Sequence, residues 1–324
     1  MATTTDTNTY KLNHTMLRVK DPKESLKFYE FIGMSLLRTL TFPEAKTDLY
    51  IIGYDQPGAA SHGAAWQDRE GAIELTHNYG TEAPDSGFVA NTGNAEPHRG
   101  FGHVCISVDN LQAACARIEA AGYRFQKRLS DGRMRNIAFA LDPDGYWVEI
   151  IGQKALEETE GVTTTDLATY RMNHTMVRVK DAQRSLAWYR DVLGMTHMYT
   201  LEQEAAGFNL YFLCYPGGKD LVQGTRTPAT ARAEGFLELT WNYGTEKDEA
   251  FRYHSGNEDP VGYGHICISV DDLDAAIARL EALGVTWTKR LNEGGYHKIA
   301  YFQDPDGYWV EVLQNPRYSD KYAI

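Results

Sequence analysis

DPDGYWVE at 142–149 returns letter for letter at 304–311, and that identity decides how the chain is read. A repeat is sought before any element is assigned, because missing one misreads the whole fold. Outward from the octapeptide the doubling continues. GHVCISVD at 102–109 becomes GHICISVD at 264–271, and ELTHNYGTE at 74–82 becomes ELTWNYGTE at 238–246. NHTM at 13–16 and RVKD at 18–21 return at 173–176 and 178–181. The 324 residues are two copies of one unit, enough for two domains each with its own core. We expect a first domain over 10–152, a polar linker over 153–169 containing EETEG and TTTD, and a second domain over 170–316.

Within a copy one order of elements occurs twice. HTMLRV alternates and predicts a strand. Asp21 follows as N-cap, with Pro22 at N1 and Glu24 at N3, and the helix is expected to stop at Gly33. ISVDNLQAACARIEAAG predicts a strand ending at Val108, an N-cap at Asp109 and a stop at Gly122; the second copy repeats this with Asp271 and Gly284. DPDG has Pro and Gly where a turn needs them and launches the short strand YWVEII. Each copy is thus two strand–helix–strands modules, four in the whole chain.

Composition bounds the class. Apolar residues are 43% and charged residues 23%, the balance of a soluble globular protein. No apolar run approaches the roughly 18 residues of a membrane span. MATTTDTNTY has neither an apolar stretch nor a basic start, so it reads as a loose polar tail and not a secretory leader. A net charge of −12 argues against nucleic acid and anionic membrane as partners. Cys105, Cys115, Cys214 and Cys267 form no CxxC pair and are read as reduced core thiols, which points to a cytoplasmic protein.

Comparing the copies filters the chemistry. Of ten histidines, two positions hold His in both: His14 with His174, and His103 with His265. His62, His77, His98, His197, His254 and His297 have no such partner, and His77 faces Trp241, so it is read as structural. Glu74 pairs with Glu238 and Glu149 with Glu311, all inside apolar strands where a carboxylate needs a partner. One such glutamate is explained by a buried salt bridge. Two histidines and two glutamates repeated together point to a divalent cation, for which N and O donors favour zinc, nickel, cobalt or iron over calcium or magnesium. Strand periodicity adds that His14 shares a face with Arg18, Glu74 with Asn78, and His103 with Arg99. Four strand residues span roughly 13 Å. A metal ligand at one end and a polar anchor at the other suit an extended substrate with a remote carboxylate.

TMLRVKD, ELTHNYGTE, GFGHVCISV and DPDGYWVEI together resemble glyoxalase I (lactoylglutathione lyase) of the vicinal-oxygen-chelate superfamily, in its fused two-site form, from about Tyr10 to Pro316. The resemblance implies an α+β fold of four βαβββ modules in two tandem domains, with metal sites between modules of different halves. It implies crossed pairing: His14 and Glu74 with His265 and Glu311, and His103 and Glu149 with His174 and Glu238. The sequence itself leaves pairing within each copy equally open. It further implies that Arg18, Asn78, Lys289 and the loop 292–298 hold glutathione in the first site. Arg178, Asn242, Arg99, Lys127 and the loop 130–136, with Met134, do so in the second. The implied reaction converts the hemithioacetal of methylglyoxal and glutathione to S-D-lactoylglutathione through an enediolate stabilised by the metal. Glu149 and Glu311 act as bases, and Glu74 and Glu238 share that role. The long segment between Glu74 and His103 resembles the zinc-dependent form of the family, so zinc is favoured over nickel. The internal duplication predicts a monomer.

The copies depart from each other where glutathione is expected. Val261 replaces Arg99, Tyr296 replaces Met134 and Gly295 replaces Arg133. A hydrogen bond to a charged group contributes about 1.5–3 kcal/mol. The Arg99 site is therefore expected to bind roughly ten- to a hundred-fold tighter. Two other readings stay open. An Fe²⁺ extradiol-type dioxygenase uses two His and one carboxylate, against which the fourth ligand counts. A non-enzymatic binding module needs no buried base.

Overall fold

The computed structural model describes residues 4–132, 134–293, 297–322 and 324. The first copy runs β1 (Lys11–Val19), α1 (Pro22–Phe31), β2 (Ser35–Phe42), β3 (Thr47–Gly53) and β4 (Ala72–Asn78). It continues with β5 (Phe101–Val108), α2 (Leu111–Ala120), β6 (Phe125–Lys127), β7 (Ile137–Leu141) and β8 (Trp147–Gly152). The second copy repeats this as β9 (Arg171–Val179), α3 (Ala182–Asp191), β10 (Thr196–Gln203), β11 (Phe208–Cys214), an added short helix α4 (Pro228–Arg232) and β12 (Phe236–Asn242). It closes with β13 (Tyr263–Val270), α5 (Leu273–Ala282), β14 (Thr286–Lys289), β15 (Ile299–Gln303) and β16 (Trp309–Gln314).

These strands form two eight-stranded sheets, ordered β14-β15-β16-β13-β1-β4-β3-β2 and β10-β11-β12-β9-β5-β8-β7-β6. Neither sheet is one copy. Each takes one module from each half of the chain, joined where β1 pairs antiparallel with β13 and β9 with β5. The sequence repeat and the spatial unit are therefore different objects. The two sheets touch on a pseudo-twofold axis, where the Thr15 and Thr175 hydroxyls lie 2.5 Å apart. Gly71 sits there at φ +66, and a Cβ on it would come within 2.6 Å of the Met172 carbonyl, so only glycine fits. Phe101 of β5 stacks on Tyr263 of β13 with ring centroids 4.9 Å apart. Burying rings of this size from both copies contributes about 1.5–3 kcal/mol each and welds the halves together.

Local rules place the helices, with two corrections. Asp21 caps α1 by accepting from the Lys23 amide, with Pro22 at the first turn. The caps of α2 and α5 are Asn110 and Asp272, one residue later than Asp109 and Asp271. The residue in extended conformation immediately before the first helical amide does the capping. The preceding aspartate is left to hold another chain segment. Asp109 accepts from the Thr165 hydroxyl, and Asp271 from the Thr5 hydroxyl and the Asp6 amide. The second correction follows: residues 5–9 are held against α5 and contain a 3₁₀ turn, where a loose tail was expected. Alternation in β1 is also not solvent-against-core. Asn13 through Leu17 are all buried, because helices cover one face and the site lies under the other. The linker carries 3₁₀ turns at Leu156–Thr159 and Leu167–Thr169. Among the described residues no helix is long and apolar enough to cross a membrane.

Candidate metal centres

The central strands of each sheet bring the repeated ligands together. In the first sheet β4, β1, β13 and β16 are neighbours, with Glu74 level with Met16, His14 opposite Cys267, and Glu311 level with Cys267. Side chains two apart share a face, so His14, Glu74, His265 and Glu311 converge on one side. The second sheet repeats this with His174, Glu238, His103 and Glu149. In each group all four donor atoms lie within 4.8 Å of one another, and all eight residues are buried. Each group mixes the two copies, which is the crossed arrangement.

The donors are spaced as ligands of one ion. The Nε2 atoms of His14 and His265 are 3.3 Å apart, and those of His103 and His174 are 3.2 Å apart. Glu311 Oε2 is 2.7 Å from His265 and 3.7 Å from His14. Glu74 Oε2 is 3.5 Å from His14. In the second group Glu149 and Glu238 both lie 3.1 Å from His174 and 3.3 Å and 3.9 Å from His103. Atoms bound at about 2.0–2.2 Å to a common zinc-like centre stand roughly 3–3.5 Å from each other. A divalent cation with N and O preference fits this set.

A further layer fixes the ligands. Nδ1 of His14 and of His174 donates at 2.8 Å to the side-chain oxygen of Asn13 and Asn173, leaving each Nε2 lone pair turned inward. The asparagine amides in turn donate to backbone carbonyls of Trp66 and Arg69, and of Thr230 and Ala233. Thr76 and Thr240 hydroxyls donate to Glu74 and Glu238 at 3.0 and 3.1 Å. These supports were in the sequence as the N of NHTM and the T of ELT, repeated as faithfully as the ligands.

Electrostatics show what the clusters want. Burial opposes charge on His174 and Glu149, lowering the first and raising the second. The Cys105 thiol and the carboxylates of Glu149 and Glu238 nevertheless hold the His174 proton well above its usual range. The two imidazoles hold Glu149 well below the usual carboxylate range. His14 is raised and Glu311 lowered for the same reasons, burial being outweighed by their mutual contacts. Each cluster is a buried seat for positive charge, which protons or a metal ion can fill. Cys105, pushed up to about 12 by burial, is no nucleophile.

A cavity of 380 Å³ opens over the second cluster. His103, Glu149, His174 and Glu238 form its floor, and Phe139, Trp147, Ile151, Tyr199, Leu201 and Phe212 its apolar wall. Arg99, Met134, Arg178, Arg226 and Asn242 add polar and long side chains. Arg226, Tyr199 and Phe212 carried no repeated signal in the sequence, whereas Trp147 lay in the repeated DPDGYWVE. Arg178 also donates to the carbonyls of Gly93, Gly100 and Phe101 and to Asn94, so it ties the loop after β4 to the sheet. Arg18 does the same in the first site with Gly256, Gly262, Tyr263 and Asn257. Lys127 donates to the Met134 and Ile137 carbonyls and braces the loop, as Lys289 does through Ile299. Asn78 accepts from Thr47. His77 bonds Glu82 and Trp241 bonds Glu246, the same structural role in both copies. Arg133, Gly295 and Tyr296 lie outside the described residues.

The chain matches the Glyoxalase/Bleomycin resistance protein/Dioxygenase superfamily over residues 11–150 and 171–312. It is 48% identical over 316 residues to a lactoylglutathione lyase of Schizosaccharomyces pombe, covering 97% of this chain and 99% of that one. It is 45% identical to a glyoxalase I of Saccharomyces cerevisiae, covering 94% and 92%. The crystal structure of glyoxalase I from Zea mays superposes with a TM-score of 0.67 at 26% identity, covering 97% and 95%.

Proposed function

This chain belongs to the Glyoxalase/Bleomycin resistance protein/Dioxygenase superfamily, within its glyoxalase I (lactoylglutathione lyase) group, and from that premise we propose how its own residues carry the reaction. It is a metal-dependent lyase acting on a glutathione-derived small molecule. His14, Glu74, His265 and Glu311 would hold one divalent cation, and His103, Glu149, His174 and Glu238 another. Bound there, the cation supplies Lewis-acid stabilisation of negative charge developing on the two vicinal oxygens of the substrate.

The carboxylates move the proton. Glu149 in the second site and Glu311 in the first take the C1 proton of the hemithioacetal and return it at C2, so nothing is gained or lost overall. The product from methylglyoxal is S-D-lactoylglutathione. Glu238 and Glu74, held by Thr240 and Thr76, face the substrate from the other side and share the proton. In the second site the apolar wall takes the aldehyde substituent. Arg99, Arg178 and Asn242 receive glutathione carboxylates, with Met134 and the loop braced by Lys127 closing over it. Arg18, Asn78 and Lys289 do so in the first. The carrying observation is the convergence of two buried carboxylates and two imidazoles on the floor of a cavity lined by arginines, in a chain whose overall charge is negative.

The N/O donor set favours zinc. Four buried free thiols suit a reducing compartment such as the cytoplasm. The second copy supplies what a partner subunit otherwise would, so the enzyme works as a monomer. The test is a thioester absorbance assay with methylglyoxal and glutathione, run beside metal analysis and chelation with re-addition. Turnover that follows bound metal supports the reading. Oxygen uptake without thioester formation would point to dioxygenase chemistry instead.

A further inference from the structure

The apolar wall over the two clusters does not face the same thing in both sites. In the second site Leu201, Phe212, Ile137 and Ile151 line the open cavity. Strand register matches them to Leu40, Ile51, Ile299 and Leu313 in the first: Ile51 pairs with Glu74 as Phe212 pairs with Glu238, and Ile299 pairs with Leu313 as Ile137 pairs with Ile151. In the first site Ile51 and Leu313 form a buried cluster with Trp66, Ala72 and Cys267, against which Leu40, Ile299 and Ile324 pack. In the second, Phe212 packs with Tyr199, Met198, Cys214 and Phe236, with Leu201 against them and, among the described residues, no residue of the linker after β8. Trp66 stands where the second copy has Thr230, since each offers its carbonyl to the asparagine beside the metal-ligand histidine. The indole lies 6.2 Å from the His14 ring, centroid to centroid. The Thr230 hydroxyl instead accepts from the Thr227 amide to close the cap of α4, and donates to the Thr227 carbonyl.

The segment carrying Ile324 is tethered. Asn315 donates to Asp68, two residues after Trp66. Lys321 and Tyr322 both bind Asp274 on α5, and the Tyr322 ring packs on the main core. The corresponding segment of the first copy is the linker after β8, none of whose residues lines the second cavity.

Resting on the lyase reading above, we propose that Trp66 and Ile324 are specificity-determining residues that cap the apolar end of the first site. The first site then takes small 2-oxoaldehydes, while the second also takes bulky or aromatic ones. Ile324 contributes contact area, Trp66 narrows the wall beside His14, and Asp274 holds the cap in place. The effect is separate from the expected weakness for glutathione, because it acts on the aldehyde substituent.

Single-site enzymes test this. Glu149→Gln with Glu238→Gln leaves the first site, and Glu74→Gln with Glu311→Gln leaves the second. In each, kcat/KM is compared for the glutathione adducts of methylglyoxal and phenylglyoxal, and affinity for S-methyl- and S-benzylglutathione is measured by calorimetry. The phenyl-to-methyl ratio is expected to be roughly ten-fold or more lower in the first-site enzyme. Ile324→Gly and Trp66→Thr raise that ratio in the first-site enzyme and leave it unchanged in the second-site enzyme; Asp274→Ala shifts it the same way by less. Equal ratios in the two backgrounds, or no response to Ile324→Gly and Asp274→Ala in proteins of unchanged melting temperature, overturn the proposal. If neither enzyme turns over either substrate, the lyase reading fails, and the benzyl-to-methyl affinity ratio still decides whether the cap exists.

Discussion

The two sites of this chain share four ligands and much of the frame around them, Arg18 with Arg178, Asn78 with Asn242 and Trp309 with Trp147, and differ at a few wall positions. Both place two histidines and two glutamates at matching positions of matching strands. Beyond that floor the first site has Ile51, Tyr301 and Trp66 where the second has Phe212, Phe139 and Thr230, and Val261 where the second has Arg99. A metal centre tolerates little change, because donor number and spacing are fixed by the ion. A wall is constrained only by what it must admit. Duplication therefore keeps the chemistry while leaving the wall of each site free to vary.

The largest effect should come from the shared floor. Glu149→Gln with Glu311→Gln removes the proposed base from both sites and should lower turnover by about 10²–10⁴-fold; near-normal turnover would sink the base assignment. The partnership across copies is next. Glu149→Gln with Glu238→Gln should empty one metal site and leave the other active. Glu74→Gln with Glu149→Gln should damage both. Metal content per chain, read beside activity, separates the two cases, and loss of both sites in the first double variant would mean each copy builds its own.

Smaller changes sharpen the contrast. Arg99→Val, which copies the first site, should raise KM of the second-site enzyme by about ten-fold or more with little change in kcat. An equal KM would mean Arg99, paired with Glu96 at 3.3 Å, serves only that ion pair. Tyr301 donates to Glu311 Oε2 at 3.1 Å, and Phe139 offers no such bond to Glu149. Tyr301→Phe should change kcat of the first-site enzyme by a few-fold, in line with about 0.5–1.5 kcal/mol, and unchanged kcat would remove Tyr301 from the account.

The smallest effect distinguishes metal-free from metal-loaded protein. In the metal-free protein His14 and His174 are raised above 6.5, so their stabilisation is complete below that pH and is lost as pH rises through the folded value. Glu149 and Glu311 are lowered below 4.5, so theirs is complete above that pH and is lost as pH falls. Metal-free protein should melt highest between about pH 4.5 and 6.5 and lower toward pH 8. Metal-loaded protein should gain over the same rise, because the imidazoles must shed protons to bind the ion. Parallel melting curves would show that protons do not occupy the empty clusters.

The sequence by itself determined the repeat, the four modules, the eight candidate ligands and the structural role of His77. These were legible because each is set locally: a strand period, a proline at a helix start, or a carboxylate in an apolar strand that has no other reason to be there. Helix caps were legible to within one residue, since Asp109–Asn110 and Asp271–Asp272 offer two adjacent acceptors and only the backbone conformation selects between them. Tertiary structure alone decided the rest. Crossed and uncrossed pairing use the same local sequence, and only the pairing of β1 with β13 and β9 with β5 tells them apart. The carbonyls bound by Arg18 and Arg178, the tether of Thr5 to Asp271, and the seat of Ile324 beside Trp66 join residues far apart in the chain. No periodicity marks such contacts. They arise only when apolar faces from both halves are buried together.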